Sequence, residues 1–258
     1  MGVDFVHGNV TGLGVSHDQM SRQPTISTVH VDQFEHGKAD PAVFGAGAVV
    51  NAAGAFASNI VRMGGEGVYD LPVRARKRCV FNVKIGPTEN ASNLSMNALL
   101  PSQVSTPLVV DPSGVWFRPE GASGRFICGV SPPAERGDPD CDSLQVLDEV
   151  DHDLFDEIIW PALYTRCEAF GALRVVSSWA GFYEYNTLDA NAIIGRHPQL
   201  QNLILCNGFS GHGLQQAPGA GRAVAELLTT GRYTSIDVSC FGFERVLKSE
   251  PIYEQNIV

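Results

Sequence analysis

The sequence predicts a mixed α/β (α+β) fold, and three observations carry that expectation. Short apolar runs twice hand over to helical patterns through turns of small residues, at "GAVVNAAGAFASNIVRMGG" (47–65) and "ILCNGFSGHGLQQAPGAGRAVAELL" (204–228). Between them, from Leu71 to about Val130, strand signals dominate, punctuated by Pro, Gly, Asp and Ser as in an antiparallel sheet. A stretch with helical spacing, residues 144–170, then separates that region from a return to strands.

The elements follow in order. Residues 1–34 read as a hairpin or meander: "VDFVHGNVTGLGV", a polar insert, then "TISTVHV" with period-two alternation. Residues 35–40 read as a polar loop and 48–51 as a buried strand. Small residues fill 52–55, and a short helix ends at Gly64-Gly65. "LPVRARKRCVFNV", "TPLVVD", "GVWFRP" and "RFICGV" supply the sheet strands. The helical stretch carries acidic residues early and is expected to break at Pro161, which lacks an N–H and crowds the preceding turn. "LRVVSSWAGFYEYNTLDANAIIG" returns to strands, with Asp189 shaping a turn. Residues 203–206 form a strand before the last long helix, and a short tail finishes the chain. "APGAG" inside that helix costs helical stability, which implies that another backbone packs tightly against it.

Composition narrows the partners. In 258 residues, 44% hydrophobic and 18% charged content is that of an ordinary globular protein. A net charge of −10 without a basic stripe argues against nucleic acid. No apolar run reaches the length of a membrane span. The opening, with Asp4 and no early Arg or Lys, is neither a secretory signal nor a transit peptide. The cysteines at 79, 128, 141, 167, 206 and 240 make no C-x-x-C or zinc spacing. They are expected as small buried hydrophobes in a reducing compartment.

The glycines of the last strand–helix junction have a physical use. A strand feeding a helix N-terminus presents unpaired N–H groups and the positive end of the helix dipole. Gly208, Gly211 and Gly213 allow tight turning and let a ligand approach the backbone, which suits an anionic or electron-rich planar group. Spacing supports equally a plain Gly-rich turn before an amphipathic helix, and it leaves the role of His212 open.

"NGFSGHGLQQAPGAGRAVAELL" resembles the C-terminal signature of the D-amino-acid-oxidase and sarcosine-oxidase-like flavoproteins, whose last helix starts against the flavin ring. Other blocks follow in that family's order. "GAVVNAAGAFASNIVRMGG" is similar to the segment beside the FAD phosphates, "LPVRARKRCVF" and "GVWFRPEGASGRFICG" to substrate-domain strands, and "WAGFYEYNTLDANAIIGRHP" to the return to the FAD domain. The resemblance implies a partial FAD-binding domain from residues 1–65 and 177–258, with an antiparallel-sheet substrate domain at 66–176. It implies FAD as cofactor, held near Ala53, Gly54, Gly181, Gly211, His212, Gly213 and Leu214, with Arg118 and Tyr183 facing a small amine or amino acid. It assigns no catalytic residue and no metal. The resemblance extends to a mitochondrial member of the family linked to assembly of respiratory complex I. That likeness implies a mitochondrial parent protein, in the matrix or associated with the inner membrane, with complex I assembly intermediates as partners.

Departures from the family pattern refine the expectation. Family members open with a G-x-G-x-x-G strand–helix unit that receives the FAD pyrophosphate. Gly45-Ala46-Gly47 and Gly211-His212-Gly213 both fail at the third glycine. The chain is therefore expected to be a truncated form beginning after the dinucleotide half, to bind FAD weakly or not at all by itself, and to be inactive alone. Sarcosine-type oxidases attach FAD through a cysteine in the region matching residues 182–189, which holds none, so any flavin is non-covalent. Their oxygen-activating lysine corresponds to Ile127, and a one-residue shift would bring Arg125 closer to that position. These features favour a dehydrogenase, or a non-catalytic scaffold or assembly factor, over an oxidase.

Overall fold

In the computed structural model, the N-terminal part of the chain forms an antiparallel sheet of β1 (Gly8–His17), β2 (Pro24–Glu35) and β3 (Lys38–Gly45), in the order β1-β2-β3. The structure describes residues 2–17, 23–35, 38–86, 101–122 and 124–253. The remaining strands are β4 (Val49–Asn51), β5 (Val73–Ile85), β6 (Val109–Val110), β7 (Trp116–Pro119), β8 (Arg125–Gly129), β9 (Leu173–Asn186), β10 (Ile193–Arg196) and β11 (Leu203–Asn207). The α-helices are α1 (Ala57–Arg62), α2 (Trp160–Arg166), α3 (Gly213–Thr230) and α4 (Glu244–Lys248). The chain divides into two units, Met1–Ala75 with Tyr183–Gln255, and Arg76–Phe182.

In the first unit the expected loop at 35–40 is corrected. β2 runs to Glu35 and β3 starts at Lys38, while residues 36–37 and the polar insert at 18–22 lie outside the described residues. Pro41 is tolerated because β3 is an edge strand, where a missing N–H breaks no ladder on its open side. A second sheet has the order β10-β11-β4: β11 pairs antiparallel with β10 and parallel with β4. Residues 48–51 and 203–206 thus share one sheet. Its two faces bury alternate side chains. Leu203, Leu205 and Ile193 pack with Ala57, Val61, Leu71 and Val73, whereas Ile204 and Ile194 pack with Ala220, Ala223, Val224 and Leu227 of α3. Burial on both faces explains the unbroken apolar run of β11. Burial of β4 is only partial, since Val50 is 39% exposed.

The helix α3 runs straight through Pro218 and ends at Gly231 in a left-handed cap (φ 76°). The expectation that a backbone packs on its glycines is corrected: no described atom lies within 4 Å of a Cβ built at Gly219 or Gly221, and both face outward.

The second unit is built on a five-stranded sheet in the order β6-β7-β8-β5-β9. Cys79, Phe81 and Val83 of β5 share one face with Phe117, Phe126 and Cys128, covered by Leu154, Phe155, Ile159, Leu163 and Phe170. Phe170 meets Phe117 and Phe126 edge to face, each at 5.1 Å between centroids. The expected break at Pro161 does not occur. A π-turn over Phe155–Ile159 leads directly into α2, so Pro161 occupies its first turn, where a missing N–H costs little.

All six cysteines are free thiols, but only Cys79 and Cys128 are fully buried, and Cys240 is exposed. Burial pushes the Cys128 thiol up to about 12. Iodoacetamide at neutral pH is expected to label Cys240 first and to spare Cys79 and Cys128 until denaturant is added; peptide mass spectrometry would show otherwise by early labelling of either. Among the described residues no helix is long and apolar enough to cross a membrane.

Candidate functional site

Two glycine-bearing turns leave the carboxyl ends of the neighbouring parallel strands β4 and β11. In open α/β sheets this is where ligands bind, because the strand ends and helix N-termini converge there. The first turn is tied by Asn51, which is buried: its Nδ2 donates to Ala57 O at 2.9 Å, and its Oδ1 accepts from Ala53 N–H at 3.2 Å. Gly54 follows with φ +54°, a left-handed conformation that glycine adopts at little cost, and opens the short helical turn before α1.

The second turn carries three left-handed residues within four positions: Gly208 (φ 73°), Ser210 (φ 48°) and Gly211 (φ 89°). A serine held there is strained and persists only where its surroundings enforce it. They do. Ser210 N–H donates to Glu184 O at 3.1 Å, and its Oγ accepts from Asn186 N–H at 3.0 Å. Its carbonyl accepts from the Tyr183 hydroxyl and from His212 Nδ1–H at 3.2 Å. His212 is the N-cap residue of α3, and Gly213 is its first residue. Among the described hydrogen bonds, none uses the N–H of Gly211, Gly213 or Leu214, so these amides at the positive end of an eighteen-residue helix are open to a ligand.

Glu184 joins the two turns. Its Oε2 accepts from Gly208 N–H at 2.8 Å, and the carboxylate also accepts from Phe209 N–H. A Cβ built on Gly54 would lie 3.9 Å from Oε2, and one built on Gly213 3.7 Å from Oε1. Burial raises this carboxyl above its ordinary value, and the two amide bonds only partly oppose that. Cys206 beside it is raised too, by its own burial and by the Glu184 charge.

Of the residues expected to hold cofactor, Ala53, Gly54, Gly211, His212, Gly213 and Leu214 lie in this unit with Tyr183, grouped around the two turns. The Leu214 side chain is 91% exposed, so only its amide faces the turn chemistry. Gly181 and Arg118 belong to the second unit. Arg118 is engaged there, ion-paired with Glu120 and donating to Pro119 O at 3.0 Å. Ile127 lies opposite Arg118 across the strand pair and is buried. Tyr183 and Tyr185 share one strand face with ring centroids 6.4 Å apart, as their alternation implies. Asp189 does more than shape a turn: it forms a buried ion pair with Arg245. The sequence reading missed Glu184, although its place between two tyrosines, on a strand entering the glycine-rich region, was visible.

The residues present fit a flavin. The open amides at Gly211, Gly213 and Leu214 suit an electron-rich ring edge, and the Gly54 turn leaves room that a side chain would fill. The model of the FAD dependent oxidoreductase (DAO) family matches residues 1–227, and the chain belongs to that family. Over 271 residues it is 39% identical to FAD-dependent oxidoreductase domain-containing protein 1 of Xenopus laevis, covering 100% of this chain and 51% of that protein. The monomeric sarcosine oxidase of Bacillus sp. (strain B-0618) is 37% identical over 71 residues, 28% of this chain and 18% of that one. The fold is similar to L-proline dehydrogenase from P. horikoshii, with a TM-score of 0.70 at 22% identity over 95% of this chain and 55% of that one. It is also similar to glycine oxidase from Geobacillus kaustophilus, with a TM-score of 0.62 at 20% identity over 91% and 51%. The chain spans about half the length of the curated full-length relatives it matches.

Proposed function

We propose that this chain supplies the glycine-turn part of a non-covalent FAD site in an amine- or amino-acid-dehydrogenase-like oxidoreductase. The observation that carries the reading is the pair of turns at Gly54 and Gly208–Gly213, set at adjacent strand ends and joined by Glu184. FAD would supply hydride acceptance, while the protein positions the substrate and stabilises charge on the reduced ring through the Gly211, Gly213 and Leu214 amides. Proteins of similar fold or sequence are named for L-proline, glycine and sarcosine, which supports a small amino acid as substrate. Tyr183, which packs against Gly211, is the substrate candidate at these turns, and Arg118 would take a carboxylate only by exchanging Glu120. The absence of a cysteine at 182–189 and the apolar Ile127 support non-covalent flavin and a dehydrogenase.

The resemblance to a mitochondrial family member extends the proposal for the whole protein to a mitochondrial location beside complex I assembly intermediates; affinity capture from mitochondria, with complex I subunits absent from the eluate, would reject that extension. For the chain itself, titration with FAD followed by fluorescence quenching is expected to saturate with a dissociation constant of about 10 µM or weaker, roughly −7 kcal/mol. The flavin is expected in the supernatant after acid precipitation. Flavin retained in the pellet would contradict non-covalent binding, and no saturation at millimolar FAD would reject the site.

A further inference from the structure

Resting on the flavin reading above, we infer that Glu184 is the acceptor for the ribityl hydroxyls of the flavin, so that the polyol chain and not the diphosphate lies between Gly54 and Gly213. A carboxylate has about four acceptor positions, and the structure fills two of those on Glu184, with the amides of Gly208 and Phe209. No described ion pair engages Glu184. Around it, Tyr183 and His212 both donate to the Ser210 carbonyl, and Cys206 is a thiol. A partly buried carboxylate with spare lone pairs calls for donors, and hydroxyls are donors. A phosphate in the same place would set two anions together without a counter-ion. The glycines on either side keep the approach open, because a side chain at Gly54 or Gly213 would come within 4 Å of the carboxylate oxygens. Gly54 further needs its left-handed φ, which a substituted residue holds only under strain.

The test compares riboflavin, which carries the ribityl chain without phosphate, with lumiflavin, which has a methyl group there. Fluorescence quenching by the full chain measures both, for the wild type and for Glu184→Gln, which keeps one oxygen for the Gly208 amide and replaces the other with a donor. The wild type is expected to bind riboflavin about tenfold more tightly than lumiflavin, the size expected of one or two hydrogen bonds to a charged acceptor. In Glu184→Gln that preference is expected to fall towards unity while lumiflavin affinity stays within about threefold, since ring contacts do not use this carboxylate. An unchanged preference in the variant overturns the role of Glu184 and leaves the flavin site standing. An equal loss of both ligands shows that Glu184 only holds the turn, which also overturns it. If neither flavin binds the wild type, the inference and the flavin reading fall together.

Discussion

Replacing Arg245 with methionine is expected to lower the unfolding free energy by about 3–5 kcal/mol, because it leaves a buried carboxylate without its cation. Arg245 is 6% exposed and the Asp189 side chain 0%. The guanidinium grips the carboxylate with two bonds, Nε to Oδ2 at 2.8 Å and Nη2 to Oδ1 at 3.2 Å, and donates to the carbonyls of Phe241, Asn191 and Ala192. Desolvation alone would raise Asp189, but the bonds from Arg245 and from the amides of Ile252 and Asn191 outweigh it and hold the carboxyl below its ordinary value. A folded pKa below the unfolded one means that this stabilisation is complete above the unfolded value, about 3.9, and is lost as pH falls through the folded value. Guanidinium denaturation of the wild type, Arg245→Met and the double variant Asp189→Leu/Arg245→Met decides the matter. The double variant is expected to recover part of the loss, since removing both charges removes the unpaired one. A cost below about 1 kcal/mol for Arg245→Met would place this pair with weak surface bridges instead. The consequence reaches the candidate site, for Asn186 donates to Asp189 Oδ1 from its side chain and to Ser210 Oγ from its backbone.

The second large effect is expected at Gly211→Ala. The residue sits at φ +89°, and a Cβ there would lie 2.6 Å from Tyr183 Cε2 and 3.0 Å from its hydroxyl. Left-handed strain costs an alanine about 1–2 kcal/mol, and forcing a side chain into a packed site about 1–3 kcal/mol more. Because the Tyr183 hydroxyl is bonded to the Ser210 carbonyl, the ring cannot move away without releasing the turn. Flavin affinity is expected to fall at least about tenfold, equivalent to 1.4 kcal/mol. The double variant Tyr183→Leu/Gly211→Ala separates the causes: it relieves the ring contact and leaves the backbone strain. Full recovery of stability in the double variant would mean that φ contributes nothing, contrary to this account.

Local signals in the sequence were legible where one element decides them. Gly54 among the small residues at 52–55, and the glycines at 208 and 211, mark strand-to-helix turns because few other residues adopt those backbone angles, and both turns are found there. The alternation of Cys79, Phe81 and Val83 marks one buried sheet face. Long-range partners left no such mark. Arg245 stands fifty-six residues from Asp189, in the short tail that finishes the chain. Glu184 reads as the outward residue of an alternating strand, and only the turn folding back over β9 makes it a partly buried acceptor. The polar loop expected at 35–40 is shortened because β2 runs to Glu35 and β3 starts at Lys38 as an edge strand, where Pro41 is tolerated. Pro161 misled for a related reason, since the π-turn before it lets the chain enter a helix at the proline instead of ending one.

Hydrogen–deuterium exchange of the full chain, with and without saturating FAD, tests the central claim most directly. The amides of Gly211, Gly213 and Leu214 have no acceptor among the described residues, whereas those of Gly208 and Phe209 are already bonded to Glu184. FAD is therefore predicted to slow exchange in peptides covering 211–214 and around Gly54, with little change at Gly208 and Phe209. Protection confined to other segments, or none at 211–214 under saturating FAD, would contradict a flavin site at these turns.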